Sequence, residues 1–541
     1  MSKRARKNRN YKKNKSIKMH GPERADSRQP ILSIKNPQKN TARPVKRARS
    51  YSAYNLNNFY YGGSGAYEGA GSSRTTRHWS YSRGVADAEM LGDLQALRER
   101  SRDLCRNNAV GRGAVATMTS NVIGAGLKFQ AVIDRDYLGM AEEEADIWET
   151  SVERKWENWA GSLDCDAARS SDFYDLQDLA FSAYLQSGEC FVLLPILSRR
   201  GRFQLCIQLV EADLVQNAPG QYSDKNMRDG IEVDNYGAPI SYSIRLDQAE
   251  WKKVQAYGER SGRPNVIHLY RQERPGQSRG VPFLASVLEN IKELGRYNKS
   301  ELAAAVISSM FTVFIKSNNE NALSTALDDE LDIATNASTE DDLDYTLAPG
   351  AVYRLEDDES IDLANPTRPN TAYEQFITAQ LREIGMALQI PYEILSKQFQ
   401  SSYSASRAAR IEAWKYFMKE RQRFSRRFCQ VIYEEWLTEE ILNMRIPAFG
   451  YFDNYDIRKA WTGGQWIGES MGQIDEGKEV KAAQLRVENN FTTRTQETIQ
   501  MNGGDFMKNV KKQIREAKAL LELKQLENEI KQLEEGTVNE I

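Results

Sequence analysis

The sequence predicts an α+β protein with several domains and long helices. Residues 188–270 alternate short β-branched and aromatic runs with Gly, Asn and Asp turns, a pattern typical of strands. From Phe283 to Met310 the chain has no proline and one glycine, Gly295, so about 28 residues could form a helix of roughly 42 Å. A chain of 541 residues is too long for a single core, so several domains are expected.

The predicted secondary structure extends along most of the chain. Helices are predicted from apolar periodicity at Leu91–Arg106, Tyr373–Leu388, Arg407–Leu437, Glu476–Asn489, Thr493–Met501 and Asp505–Glu535. Strands are predicted at Cys190–Leu197, Phe203–Leu209, Ile240–Ile244, Val266–Tyr270, Ala351–Leu355 and Ser360–Leu363.

Two helices have apolar residues that indicate how they pack. A core face is predicted from Phe376, Ile377, Leu381, Ile384 and Leu388. The spacing of 3, 4 and 3 at Leu523, Leu526, Ile530 and Leu533 indicates a coiled-coil or bundle seam.

Charge divides the chain unevenly. The net charge is −2, yet residues 1–50 carry 17 Lys or Arg against Glu23 and Asp26. Tyr51–Ser73 is rich in Gly, Ser, Asn and Tyr, so residues 1–75 are expected to be a disordered basic arm followed by a linker. Two interpretations of the arm stay open: it binds nucleic acid or an acidic protein surface, or it is a solvated tail without a partner.

Composition argues against an enzyme, a metal site and a membrane span. The five Cys show no CxxC spacing, which favours buried free thiols in a reducing cytosol. There are three His, too few and too scattered for a His-based metal cluster. No apolar run reaches the ~18 residues that a span needs. We therefore expect no catalytic residue, no cofactor and no metal.

Two short motifs resemble catalytic ones by chance. GGSGAYEGAG at 62–71 lacks the Gly-Lys-Ser/Thr ending of a phosphate loop and is better explained as linker. GESMG at Gly468–Gly472 follows a Gly-rich turn in place of a strand, and no His lies downstream of it.

A turn precedes the long helix. In RPGQSRGVP, Pro275 lacks a backbone donor, Gly276 and Gly280 permit unusual dihedral angles, and Pro282 suits the first turn of a helix. Towards its C-terminal end the predicted helix has small residues at Ala303–Ala305, which let a neighbouring helix approach closely.

Turn, helix and Ala cluster stand in the order found in lambda-type bacteriophage portal proteins, the head-to-tail connector family that the chain resembles from about Phe59 to about Leu526. Further matching segments are RERSRDLCRNNAVGRGAVATMTSNVIGAGL (Arg98–Leu127), DFYDLQDLAFSAYLQSGECFVLL (Asp172–Leu194), YEQFITAQLREIGMALQIPYEIL (Tyr373–Leu395), SYSASRAARIEAW (Ser402–Trp414) and IDEGKEVKAAQLRVENNFTTRTQETIQMNGGD (Ile474–Asp505). The sequence departs from the family at Ser402, usually Asn, and at Glu476, usually Pro.

The resemblance implies a portal fold assembled as a ring, typically a dodecamer, at one capsid vertex, through which DNA is packaged and ejected. Its parts would be a wing at 76–280 and 405–460, a stem of two helices at 281–315 and 370–392, a clip at 316–369, a tunnel loop at 393–404 and a crown at 461–541.

The predicted clip is acidic. Residues 318–362 contain 14 Asp or Glu and a single basic residue, Arg354. The resemblance implies that this segment docks the terminase motor and the head-tail adaptor. An ordinary solvated loop is the alternative for Asn318–Asp342. The candidate docking residues are Asp328, Asp329, Glu330, Asp341, Asp342, Asp357 and Asp358.

The predicted tunnel loop would touch passing DNA, as the resemblance implies. Its polar side chains can bind phosphates without reading bases. An ordinary polar connector is the alternative for each of them. The candidates are Lys397, Gln398, Gln400, Ser401 and Ser402.

The resemblance also implies the partners and the location. Expected partners are further copies of the chain, double-stranded DNA, the terminase large subunit, the head-tail adaptor, and the major capsid and scaffold proteins, with no membrane. The protein would be assembled in the host cytoplasm and reside in the virion. The alternative is a basic-armed nucleic-acid-binding protein acting as a monomer or dimer, for which residues 1–50 are the evidence.

Overall fold

A computed structural model describes residues 84–198, 203–220, 226–247, 250–309, 313–317, 359–363, 372–399, 402–472 and 475–538. The chain divides into two units, Met1–Tyr81 and Ser82–Ile541, and all described residues belong to the second. The predicted arm and linker and the predicted strand Ala351–Leu355 lie outside the described residues.

More than half of the described residues lie in helices. They are α1 (Ala86–Met90), α2 (Leu94–Asn107), α3 (Ala109–Val122), α4 (Arg135–Leu138), α5 (Glu142–Ala160), α6 (Phe173–Ser187), α7 (Leu288–Ser309), α8 (Tyr373–Leu388), α9 (Tyr392–Leu395), α10 (Tyr403–Phe424), α11 (Gln430–Leu442), α12 (Tyr455–Trp461), α13 (Glu476–Glu488), α14 (Arg494–Asn502) and α15 (Phe506–Val538).

The strands are short. They are β1 (Lys128–Ala131), β2 (Glu189–Leu193), β3 (Gln208–Val210), β4 (Met227–Arg228), β5 (Ile231–Val233), β6 (Pro239–Arg245), β7 (Trp251–Gln255), β8 (Val266–Tyr270), β9 (Val313–Ser317), β10 (Glu359–Leu363) and β11 (Gly464–Ile467). They form sheets in the orders β3-β2-β8, β4-β5-β6-β7, β1-β11 and β10-β9. The predicted α+β class is confirmed.

Local sequence explains several boundaries. The Asp172 carboxylate accepts hydrogen bonds from the backbone N–H groups of Tyr174 and Asp175 and so caps the start of α6. Gly188, at φ +86°, ends the same helix in the left-handed region. The predicted helix from Phe283 starts later, at Leu288, because a 3₁₀ turn at Ala285–Val287 comes first.

The main core is built around Trp156, which α5 contributes. This side chain is 1% exposed. The rings within 6.0 Å of it belong to Phe129, Trp159, Phe173, Tyr433, Trp436 and Trp466. Aromatic pairs in such offset and edge-to-face arrangements stabilise a core beyond the area they bury. Residues separated by about 300 positions are therefore held in one body.

The strand at Gly464–Ile467 was not predicted. It pairs antiparallel with β1, with Trp466 opposite Phe129. Trp466 thus joins the main core, although the sequence places it in a Gly-rich turn.

The two long helices α7 and α8 lie side by side. Tyr297 contacts Tyr373 and Phe376, at ring centroid distances of 5.9 and 5.0 Å. The predicted core face of α8 is only partly correct: Ile384 and Leu388 are buried, whereas Phe376 stays 45% exposed. Among the described residues, Phe376 contacts Tyr297 of α7, and this contact leaves its ring partly exposed.

Beyond α7, β9 and β10 pair antiparallel, with Ser317 opposite Glu359 and Val313 opposite Leu363. The predicted strand Ser360–Leu363 is confirmed.

The predicted helix Arg407–Leu437 is interrupted. α10 and α11 are joined by a π-helical turn at Ser425–Cys429, and no proline is needed for this change of winding.

All five Cys are buried thiols, as predicted. Among the described helices, none combines the length and apolar character that crossing a lipid bilayer requires.

Candidate nucleic-acid interface

The predicted loop begins where α8 ends. Gln389 adopts a left-handed conformation at φ +57°, and Pro391 then starts the short helix α9. Lys397 is again left-handed, at φ +56°. These two reversals turn the chain between α8 and α10.

Hydrogen bonds order part of this loop. The Tyr392 hydroxyl donates to Gln398 Oε1 at 2.7 Å, and the Gln398 backbone N–H donates to the Glu393 carbonyl at 3.1 Å. Gln398 is half-buried and hydrogen-bonded through both its side chain and its backbone, whereas Lys397 and Ser402 are exposed. The loop presents Lys397 on a hydrogen-bonded turn.

Other predicted site residues lie outside the described residues. These are Gln400 and Ser401 of the loop, and Asp328, Asp329, Glu330, Asp341, Asp342, Asp357 and Asp358 of the clip. Their roles stay predictions.

A groove of about 560 Å³ adjoins the loop. Its polar and aromatic lining includes Arg382, Gln389, Tyr392, Glu412, Lys415 and Lys419. The guanidinium of Arg382 lies 5.5 Å from the centre of the Tyr392 ring. The carboxylate of Glu412 pairs with Lys415 at 2.9 Å. Cations therefore outnumber carboxylates on this surface.

The basic surface continues along α10 and into the π-helical turn that follows it. Lys415, Lys419, Gln422 and Arg426 are exposed and recur at spacings of four, three and four, which place them on one side. They line a second groove of about 810 Å³. These residues were not predicted, although their helical spacing is visible in the sequence.

A buried ionic cluster holds the turn that precedes α7. The Glu189 side chain is fully buried, and its Oε1 accepts from Arg279 Nε at 2.8 Å. Arg98 also donates to Oε1. Glu189 Oε2 accepts from the backbone N–H of Gly280 at 2.9 Å and contacts His268 Nε2 at 2.8 Å. The first sheet, α2 and the turn meet at one carboxylate.

Arg279 extends the cluster to neighbouring backbone. Its side chain is fully buried and donates to the carbonyls of Val215 and Ala212, each at 3.0 Å, and to Asp229 Oδ2 at 2.7 Å. Gln277 fixes the rest of the turn, because its amide accepts from Glu273 N at 2.8 Å and donates to the Arg279 carbonyl at 2.8 Å. Every polar group named here has a partner, as burial requires.

Burial and neighbouring charge set the protonation states. Burial alone would raise the pKa of the Glu189 carboxyl, but the cations around it, Arg279 first, hold that pKa well below its ordinary value. Burial lowers the pKa of His268, and the hydrogen bond to Glu189 opposes that shift only in part. Glu189 is therefore charged and His268 neutral at pH 7.

Acidification should destabilise the wild type more than a His268→Gln variant. His268 of the unfolded chain takes up a proton as the pH falls through about 6.5, whereas the lowered pKa in the folded protein resists this uptake. Protonation therefore stabilises the unfolded state. Between pH 7.5 and 5.5 we expect the free energy of unfolding of the wild type to fall by about 1 kcal/mol more than that of the variant. Urea unfolding at both pH values measures the difference. Equal losses would show that the folded protein does not keep His268 neutral.

No cluster of His, Cys, Asp and Glu suited to a metal ion occurs among the residues that the structure describes. In the GESMG motif, the Ser470 hydroxyl donates to the Met501 carbonyl at 3.0 Å. This contact fits a structural role for Ser470.

Comparison with known proteins gives a consistent result. The sequence profile of the family described as "Phage portal protein, lambda family" matches residues 72–421. The portal protein of Escherichia phage N15 is 29% identical over 484 residues, covering 85% of this chain and 89% of that protein. Portal protein B of Escherichia phage lambda is 27% identical over 482 residues, covering 84% and 89%.

Among solved structures, a chain from the virion of a native gene transfer agent particle has a TM-score of 0.42 and 12% identity, covering 75% of this chain and 92% of that one.

Proposed function

Because the chain belongs to the lambda family of phage portal proteins, we propose that it forms a closed ring at one capsid vertex and that double-stranded DNA passes through the ring during packaging and ejection. The chain is a portal protein, and the observation that carries this function is the similarity to the N15 and lambda portal proteins over most of its length. Cyclic symmetry suits the role, since head-to-tail contacts close on themselves and leave an axial hole.

The surface proposed to face DNA combines Lys397 of the loop with the basic groove beside it. Arg382 and Lys419 are exposed cations of that groove. Cations bind phosphates irrespective of base sequence, which suits a channel that must pass a whole genome.

The acidic segment is proposed to dock the terminase motor and the head-tail adaptor. Its support is charge: residues 318–362 carry 14 Asp or Glu against Arg354. Repeated around a ring, this charge would repel DNA and attract basic protein surfaces.

The wing, stem, clip and crown boundaries given above belong to the same proposal, as do capsid and scaffold contacts and assembly in the host cytoplasm. The alternative of a monomeric or dimeric nucleic-acid-binding protein is not favoured, because it does not account for the family match at residues 72–421.

Neutralising the proposed DNA surface should leave rings intact and weaken their hold on DNA. In a variant with Arg382→Gln, Lys397→Gln and Lys419→Gln, native mass spectrometry should find the wild-type ring. The logarithm of the DNA-binding constant falls linearly with the logarithm of salt concentration. The slope of that line should become shallower by up to about 0.9 for each phosphate contact removed.

The matched control removes three exposed cations elsewhere, with Arg154→Gln, Lys252→Gln and Arg260→Gln. We expect it to keep the wild-type salt slope. Equal slopes in the two variants would contradict the proposed DNA surface. A wild-type chain that stays monomeric or dimeric in every condition would contradict ring formation.

A further inference from the structure

The C-terminal helix α15 leaves the body of the subunit. The start of this helix is held against α5 by an ion pair, in which Lys508 Nζ lies 2.7 Å from Glu153 Oε2. From Lys511 to Ile530 every residue is exposed. At 1.5 Å per residue this stretch is about 30 Å long. An isolated helix of that length is marginal in water, since most helical stability in proteins comes from packing.

This helix carries two apolar stripes on opposite sides. At about 100° per residue, each stripe falls within about 60°, and the centres of the two lie roughly 180° apart. The first comprises Val510, Ile514, Ala517 and Leu521, and the second Leu523, Leu526 and Ile530. Leu521 is 61% exposed and Leu526 is 58% exposed. One stripe occupies the N-terminal half of the helix and the other its C-terminal half.

The two halves also differ in charge. Residues 506–521 carry five Lys or Arg against one Glu, whereas residues 522–538 carry five Glu against two Lys. The N-terminal half of one helix is therefore complementary to the C-terminal half of another.

The directions of the stripes restrict how two copies can meet. In an antiparallel pair related by a two-fold axis, each stripe that faces the other helix would lie opposite a stripe that points away. In a parallel, staggered pair, the first stripe of one copy faces the second stripe of the next. Such a pair brings apolar sides and opposite charges together at once, and it leaves one stripe on each copy for a further neighbour.

We propose that α15 packs head-to-tail against a second copy of this chain, the basic half of one helix on the acidic half of the next. This contact rests on the proposed ring, in which each subunit has two neighbours. Since a ring has no rise along its axis, the stagger requires helices inclined to that axis.

Charge reversal tests the contact. Lys511, Lys518, Glu522 and Glu529 are exposed on one side of the helix, between the stripes. In the staggered pair, the two Lys of one copy lie beside the two Glu of the next. One variant has Lys511→Glu with Lys518→Glu, a second has Glu522→Lys with Glu529→Lys, and a third combines all four changes and keeps the net charge.

We expect each double reversal to raise the protein concentration at half-assembly about tenfold, the effect of about 1.4 kcal/mol from several surface pairs. The combined variant should return to within about threefold of wild type, and circular dichroism should show equal helicity in all. A chain ending at Val510, which keeps the Lys508–Glu153 pair, should assemble more weakly still.

The outcomes separate the two proposals. If wild type forms no ring, the proposed function fails. If wild type forms rings and the chain ending at Val510 forms them equally well, the helix contact alone is refuted. A combined variant as weak as either double reversal would refute the pairing between halves and point to another partner for this helix.

Discussion

Replacing Arg279 by Met should lower the free energy of unfolding by about 3–5 kcal/mol, because the change leaves the buried Glu189 carboxylate without its main partner. Both side chains are fully buried in the folded protein. The variant also strands the carbonyls of Val215 and Ala212, to which Arg279 donates. Urea unfolding followed by circular dichroism measures the loss.

The control is Arg102→Gln, which breaks a partly exposed pair with Asp213. The Arg102 side chain is 25% exposed, so its loss should cost less than about 1 kcal/mol. If the two variants unfolded at the same urea concentration, the buried cluster would not be what stabilises this junction.

Gly280→Ala should cost about 3 kcal/mol by forcing two backbone segments apart. A Cβ atom at Gly280 would lie 2.1 Å from the Gly188 carbonyl oxygen, and backbone cannot turn aside as a flexible side chain does. The change should also disturb the hydrogen bond that Gly280 N donates to Glu189, in the turn that precedes α7. The shift in thermal unfolding midpoint measures this effect.

Gly113→Ala serves as the matched control. Gly113 lies within α3, and a Cβ there would meet nothing within 4 Å. Removing a helical glycine should stabilise the protein by about 0.5–1 kcal/mol. If Gly280→Ala lowers the thermal unfolding midpoint and Gly113→Ala raises it, the close backbone contact at Gly280, not the loss of a glycine, causes the destabilisation. Equal small effects would show that the backbone at Gly280 can relax.

Local pattern explains which parts of the fold could be predicted. Helix α8 and strand β8 have the predicted bounds, because periodicity and flanking turn residues define them. Strand β11 could not be predicted, since its partner β1 lies more than 300 residues earlier in the chain. Pairing of this kind depends on the tertiary fold and leaves no local pattern.

The candidate site was predictable to a lesser extent. The position of the loop at Lys397 follows from Ile390-Pro391, because the residue before a proline disfavours the helical conformation. Gln398 was predicted to contact DNA, but its side chain accepts a hydrogen bond from the Tyr392 hydroxyl. Sequence spacing alone does not predict such a contact between side chains. Glu189 and Arg98 are separated by 91 residues, so no motif joins them.

Ser317 and Glu359 pair with each other, so the two ends of the segment between them lie side by side. The chain leaves the body and returns to it at adjacent points, so whatever is inserted between them does not set the distance between α7 and α8. For a flexible insertion, doubling the length costs only about 0.6 kcal/mol of closure entropy. We therefore expect a change in the length of the segment between these two residues to leave the positions of α7 and α8 unchanged.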